Sequence, residues 1–301
     1  MELYRKLRPK SFAELAGQEK LVKSMSNMLK KGSFPHAVLL TGPKGCGKTS
    51  VARILKTELK CEDQDYTEMN AAEKRGIDDI RGIKDSMRYY PKKEGGSRMW
   101  VVDEAHMLTS EAQNAFLKIL EDGAPEFVYF VLATTNPGKL LETVKSRCMP
   151  FQLKPLDSND MKALLLRSGG KKLPASVQGR IMEVADGSPR NALVLLEKAL
   201  SLETEQEQEE AVDAGELTLE MKKLFQHLLK PKADFPTCLK LIKSIKEEIE
   251  TIRRAGLGYF AACMSNPRIA AHCAHLLEAF RDPYYDMGKP GLVLSCWNAT
   301  R

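Results

Sequence analysis

The densest chemistry in the chain lies in eight residues, Gly42-Pro43-Lys44-Gly45-Cys46-Gly47-Lys48-Thr49. They fit the spacing G-x-x-x-x-G-K-[ST], whose glycines let backbone N–H groups turn inward around an anion. Lys48 is long enough to reach the β- and γ-phosphates of a nucleotide, and the Thr49 hydroxyl is a hard-oxygen ligand for Mg²⁺. The segment Gly42 to Ser50 is therefore a candidate site for ATP with Mg²⁺. Two carboxylates, Asp103 and Glu104, end the apolar run "MWVVDE". Beside a phosphate loop, Asp103 would hold the metal through water, and Glu104 would orient or deprotonate an attacking water. His106 completes the tetrapeptide "DEAH" and reads equally well as structural. A helicase carrying that box needs two motor domains, and 301 residues leave room here for one α/β core. Thr135 and Asn136 end another apolar run, "VYFVLATT". Either could bond a phosphate or a water there, or simply terminate the run at Pro137. Arg147, in "SRC", stands directly before "MPFQL". A permanent charge at the mouth of an apolar run is either a surface ion pair or a group held ready for an anion.

These groups can cooperate only if the elements carrying them end at one place. Apolar runs at 36–42, 99–104 and 128–135 read as strands buried on both faces, with weaker candidates at 66–71 and 149–153. Helical patterns fill 48–60, 78–89 and 110–121, the last opening with Ser110 and Gln113 at capping-box spacing. Alternating strands and helices predict a doubly wound α/β domain that binds ligands at the carboxyl ends of its parallel strands. Beyond residue 154 the strand signals stop, and helices are expected over 158–202 and 217–300.

Composition limits the remaining choices. A hydrophobic content of 43% with 29% charged residues is that of a folded globular chain. No apolar run approaches the roughly 18 residues of a membrane span, and "MELYRKLRPK" lacks a signal-peptide core, so a cytoplasmic protein without a membrane partner is expected. The seven cysteines form no C-x-x-C pair, which suggests reduced thiols rather than a disulfide frame or zinc site. The net charge of +6 is uneven: residues 1–60 hold 13 Lys/Arg against four Asp/Glu, while 203–216 hold seven acids and no base. The basic end suits a polyanion partner, and the acidic run reads as a solvated helix end or linker at a boundary.

Taken in order, "YRKLRPKSFAELAGQE", "HAVLLTGPKGCGKTSVAR", "EMNAAEKRGIDDIR", "VVDEAHMLTSEAQNAFLKILED", "FVLATTNPGKL", "SRC" and "GSPRNALVLLEKA" resemble the AAA+ clamp-loader ATPases. The likeness is to the bacterial DNA polymerase III gamma/tau subunits and, through SRC, to replication factor C; it spans roughly residues 4–200. It implies an AAA+ core over 1–153, a helical lid over 154–205 and a helical oligomerisation collar over 206–301. It further implies that Arg147 is an arginine finger reaching ATP held by a neighbouring subunit. Arg190, in the sensor-2 motif, would touch the phosphates of its own subunit's nucleotide, and Arg8, Pro9 and Ala16 would line the adenine side. Lys74, Arg75, Arg81, Lys84 and Arg88 would follow the phosphates of primer–template DNA, which positions without reading sequence. Tyr89 and Tyr90 would either enter a pocket of the sliding clamp or pack on the core. The implied partners are that clamp, DNA and other loader subunits in a ring, with a pentamer expected.

The sequence departs from the bacterial pattern at one point. The four-cysteine zinc module that follows the phosphate-loop helix in those subunits is reduced to Cys61, so no zinc is expected. The compact form, without the long polymerase-binding tail of tau, would also suit a phage-encoded loader working in its host's cytoplasm. Two other functions remain open: a different AAA+ DNA remodeller such as a branch-migration ATPase, and a loader subunit that lends its arginine but hydrolyses nothing.

Overall fold

The computed structural model describes residues 2–214, 219–245, 247, 249–264, 266–284 and 287–301. These form two compact units, Met1–Glu197 and Lys198–Arg301.

The first unit is built on five parallel strands. In chain order its elements are α1 (Leu3–Lys6), α2 (Glu19–Lys30), β1 (Ala37–Thr41), α3 (Lys48–Glu58), β2 (Cys61–Asn70), α4 (Ile77–Ser86) and β3 (Ser97–Asp103). There follow α5 (Ser110–Asp122), β4 (Val128–Thr134), α6 (Glu142–Lys145), β5 (Met149–Gln152), α7 (Ser158–Arg167), α8 (Ala175–Ala185) and α9 (Pro189–Ala199). The sheet order is β2-β3-β4-β1-β5. Thr41 stands level with Thr134 and Gln152, and Asn70 with Asp103, so the carboxyl ends of the strands share one rim.

Period-two alternation explains the continuous apolar strands. Leu39, Trp100, Val102, Phe130 and Leu132 face Ile80, Ile83, Phe116 and Ile119 of α4 and α5. The intervening residues Val38, Leu40, Met99, Val101 and Val131 face Met25, Val51, Ile54 and Leu55 of α2 and α3. Phe116 meets Phe130 edge-on with ring centroids 5.3 Å apart, the geometry that ring quadrupoles favour. A sheet covered on both sides leaves only its rim for chemistry.

Two local expectations are corrected. The cap of α5 is Thr109, whose hydroxyl accepts from the Ala112 N–H at 3.2 Å. Gln113 makes no cap. It is buried and ties Leu108, Lys139 and Leu141 together through their backbones. Of the two readings of the acidic run, the helical one holds over its described part and the linker does not: Glu205–Ala214 is the helix α10 of the second unit, with Gln208 and Val212 buried. Residues 215 and 216 of the run, and 217 and 218 of the next expected helix, lie outside the described residues.

The second unit continues with α11 (Leu219–Leu228), α12 (Phe235–Ser244), α13 (Ile249–Cys263), α14 (Ala270–Ala279) and α15 (Lys289–Ala299). Its core stacks Phe225, Phe260 and Phe280 edge-to-face, with centroids 5.4 and 5.5 Å apart. Arg253 caps α14 by donating to the Phe280 and Arg281 carbonyls, while Glu250 accepts from Arg253 and from the Tyr284 N–H.

Candidate nucleotide-binding site

The turn from β1 into α3 wraps where no Cβ would fit. Gly42 has φ +143°, and a Cβ there would lie 2.4 Å from the Leu153 carbonyl oxygen. Gly45 has φ +83°, and its Cβ would lie 2.3 Å from Ser188 Oγ. Glycine is thus required by dihedral at both positions, and at Gly42, where the obstacle is backbone, by space as well. The turn delivers Lys48, Thr49 and Ser50 to the first turn of α3, where backbone N–H groups lack helical partners and carry the positive end of the helix dipole.

Lys48 is buried, and its ammonium donates to the carbonyls of Gly42 and Pro43 at 2.8 and 2.9 Å. Burial pulls its pKa below the ordinary lysine value, opposed by Glu104 and Asp103. Desolvation, with Arg53 and Arg190 adding repulsion, likewise lowers Arg8, while Glu68 opposes. Two partly desolvated cations beside a third make a site that is short of negative charge. The Cys46 thiol, also in the loop, is pushed up by burial and stays protonated.

Thr49 donates its hydroxyl proton to Asp103 Oδ2 at 2.8 Å, while Asp103 Oδ1 accepts from the Glu104 N–H at 2.9 Å. A hydroxyl and a carboxylate at that separation are hard oxygen donors of the kind Mg²⁺ takes, so Thr49 and Asp103 fit the metal. Among the described residues no group of three or more His, Cys, Asp or Glu side chains is placed to hold a metal ion. The Cys61 thiol is pushed up to about 11 by burial. Glu104 has φ +50°, a left-handed conformation that costs a side-chain-bearing residue about 1–2 kcal/mol. That twist turns its carboxylate toward the Thr135 hydroxyl, which donates to it at 3.4 Å, and toward His106 Nδ1, also 3.4 Å away. His106 Nδ1 lies 3.0 Å from the hydroxyl of the fully buried Thr134, which also accepts from the Asn136 N–H.

Loop, carboxylates and lid share one cleft of about 910 Å³, counting space open to solvent. Arg8, Pro9, Ala16, the stretch Lys44 to Ser50, Asp103, Glu104 and Arg190 all line it. Gly42 and Pro43 do not line it and contribute through their carbonyls to Lys48. Thr135 and Asn136 also lie outside the lining; Thr135 reaches the site through Glu104, and Asn136 is exposed. Tyr4, Leu15, Leu164, Arg167 and Leu193 line the cleft without having been singled out from the sequence. They come from segments more than 140 residues apart, and nothing local marks them.

Arg147 is not part of this cleft. It follows α6, pairs with Glu121 at 2.7 Å and donates to the Thr143 carbonyl at 3.1 Å. The expected polyanion-following cations divide similarly. Lys74, Arg75 and Arg88 are exposed, Arg81 pairs with Asp78 at 3.0 Å, and Lys84 pairs with Asp122 at 2.9 Å. Tyr89 and Tyr90 do not pack inward: they are 69% and 82% exposed, Tyr90 lying against Phe127.

The family model described as DNA polymerase III, delta subunit, matches residues 17–75 and 65–157. DNA polymerase III subunit gamma/tau of Mycobacterium tuberculosis is 38% identical over 227 residues, covering 67% of this chain and 39% of that protein. Subunit gamma of Buchnera aphidicola is 36% identical over 224 residues, covering 66% and 61%. Subunit tau of Escherichia coli is 35% identical over 237 residues, covering 70% and 36%. The chain thus spans about two fifths of the length of the gamma/tau and tau relatives. In structure it is similar to the Thermotoga maritima RuvB Holliday junction branch migration motor, with TM-score 0.59 and 20% identity over 79% of this chain and 85% of that one. That likeness concerns the fold alone. The sheet order and the phosphate loop define a P-loop α/β fold similar to that motor's. With relatives 38% and 35% identical over two thirds of its length or more, the chain belongs to the DNA polymerase III gamma/tau family.

Proposed function

We propose that the chain is an ATP-hydrolysing subunit of a sliding-clamp loader, acting in a ring with other loader subunits, a pentamer by family analogy. The observation that carries this is the convergence of Lys48, Thr49, Asp103 and Glu104 on one cleft while Arg147 stands outside it. A complete hydrolytic set lacking only its cation from the neighbour is what a ring of trans-acting subunits requires. The same reading takes 1–153 as the ATPase core, 154–205 as the lid and 206–301 as the collar. It places the protein in the cytoplasm, a host's if the chain is phage-encoded, and assigns it no zinc.

In this mechanism Lys48 leaves the two loop carbonyls for the β- and γ-phosphates, exchanging neutral acceptors for charged ones. Thr49 and Asp103 would hold Mg²⁺, which supplies charge neutralisation at the phosphates. Glu104, oriented by Thr135, takes a proton as a water oxygen bonds to the γ-phosphorus and the bond to ADP breaks. Arg190 contacts the phosphates from the lid. Arg147 exchanges Glu121 for the γ-phosphate of the adjoining subunit, which offsets charge as it develops there. Lys74, Arg75, Arg81, Lys84 and Arg88 follow the DNA backbone, and the exposed Tyr89 and Tyr90 offer themselves to the clamp.

Steady-state hydrolysis by the wild type and Arg147→Ala, with primed DNA, clamp and companion subunits present, tests this reading. The expected result is a loss of about 10³-fold with nucleotide binding retained. Equal rates would leave Arg147 as the partner of Glu121 and nothing more. A wild type indifferent to DNA and clamp would remove the loader function.

A further inference from the structure

Among the described residues lining the cleft, Tyr4 supplies the single aromatic ring. It sits on α1, only four residues long, and the guanidinium of Arg190 lies over it, 5.7 Å from the ring centroid. That is within the roughly 6 Å over which an aromatic face attracts a cation. The Leu3 N–H donates to Glu197 Oε2 at 2.8 Å. Arg190 and Glu197 are two turns apart on α9, so both rise from one face of that helix. The face therefore grips α1 at two adjacent residues, one through the backbone and one through the ring.

The ring answers an electrostatic problem. Ser188 and the Cβ of Arg190 abut the phosphate loop at Gly45, which fixes the backbone of Arg190 beside the cleft but leaves its long side chain to find a place. Lys48 and Arg8 both register Arg190 as a repulsive neighbour. With no anion between them, like charges drive the guanidinium outward. The negative face of Tyr4, which the Arg5 guanidinium also approaches to 5.7 Å while its Nε donates to the Tyr4 hydroxyl at 3.1 Å, offers the opposing attraction.

We propose that Tyr4 is a positioning residue for Arg190: its ring holds the guanidinium at the cleft, and Glu197 holds α1 where the ring can do so. This rests on the reading of the cleft as an ATP site with Arg190 as a phosphate contact. It makes the N-terminal helix a working part of that site, and it demands an aromatic ring rather than a phenol.

The full chain, titrated with fluorescent ATP analogue, provides the test. Tyr4→Phe should bind as the wild type does. Tyr4→Leu should bind about 2- to 5-fold more weakly, the equilibrium equivalent of a partly exposed cation–π contact. That loss should vanish when Tyr4→Leu is made on Arg190→Ala, because the two residues act through one interaction. Glu197→Ala should reproduce part of the loss, again only while Arg190 is present, which guards against a Tyr4 variant that merely misfolds. Equal losses in both backgrounds would overturn the proposal and make Tyr4 a direct nucleotide contact. Wild-type affinity in Tyr4→Leu, or a loss in Tyr4→Phe as large as in Tyr4→Leu, would overturn it as well. Failure of the wild type to bind ATP would instead defeat the underlying reading of the cleft.

Discussion

At the scale of single residues, Lys48 carries the clearest consequence of burying charge. Its pKa is lowered from 10.5 chiefly by desolvation, so the fold disfavours the protonated form that the unfolded chain would hold. The sign follows. The destabilisation is fully present below the folded pKa and is relieved as pH rises from there toward 10.5. If the cleft takes ATP as proposed, nucleotide binding runs the other way, because losing the proton removes the charge that would meet the phosphates. Across this alkaline window, denaturant titrations should show the empty wild type gaining stability relative to Lys48→Met, while its ATP affinity falls. An affinity that holds steady until free lysine titrates would mean that burial does not lower Lys48 in the empty cleft, and one that never falls would mean that the ammonium does not meet the phosphates. The residues of this loop were legible because phosphate chemistry demands a contiguous spacing. Tyr4, Leu164 and Leu193 were not, since the fold alone brings them to the same cleft.

At the scale of elements, burial periodicity carried most of the information. Strands buried on both faces must be apolar throughout, and all five expected runs became strands of one sheet. The failures came where a polar residue had two uses. Gln113 stands at capping-box spacing from Ser110, yet Thr109 begins the helix one residue earlier and leaves the amide free to turn inward. There it donates to the Leu108 and Lys139 carbonyls at 3.2 and 3.4 Å and accepts from the Leu141 N–H at 2.8 Å. It thereby joins the turn after Glu104 to the segment leading to Arg147. Gln113→Leu would leave the buried Leu108 carbonyl and the half-buried Leu141 N–H without this partner, at a cost of about 1–3 kcal/mol. Urea unfolding should show that loss as a lower midpoint, and a change below 0.5 kcal/mol would mean water replaces the amide there. The linker alternative for the acidic run failed for a related reason: seven acids mask Val212 and Gln208, which give α10 a buried side.

At the scale of the whole molecule, the position of Arg147 decides whether one chain can complete its own reaction. It lies outside the cleft and is held by Glu121. A surface ion pair of this kind contributes at most about 1 kcal/mol, so a γ-phosphate in a water-poor interface can take the guanidinium away. If it acts on a neighbour, defects in the cleft and in the finger must complement each other. Lys48→Ala disables a subunit's own site but leaves its Arg147 for the next subunit; Arg147→Ala does the reverse. In an equal mixture, random placement around a closed ring puts a good site beside a good finger at about a quarter of interfaces. Hydrolysis by the two variants mixed, with DNA and clamp present, should therefore recover to roughly that share of the wild-type rate, although each variant alone is inactive. Recovery depends on contact between subunits and should disappear on dilution below the assembly range. A mixture as inactive as its components would mean that hydrolysis needs Arg147 within its own chain and that the arginine is not lent to a neighbour.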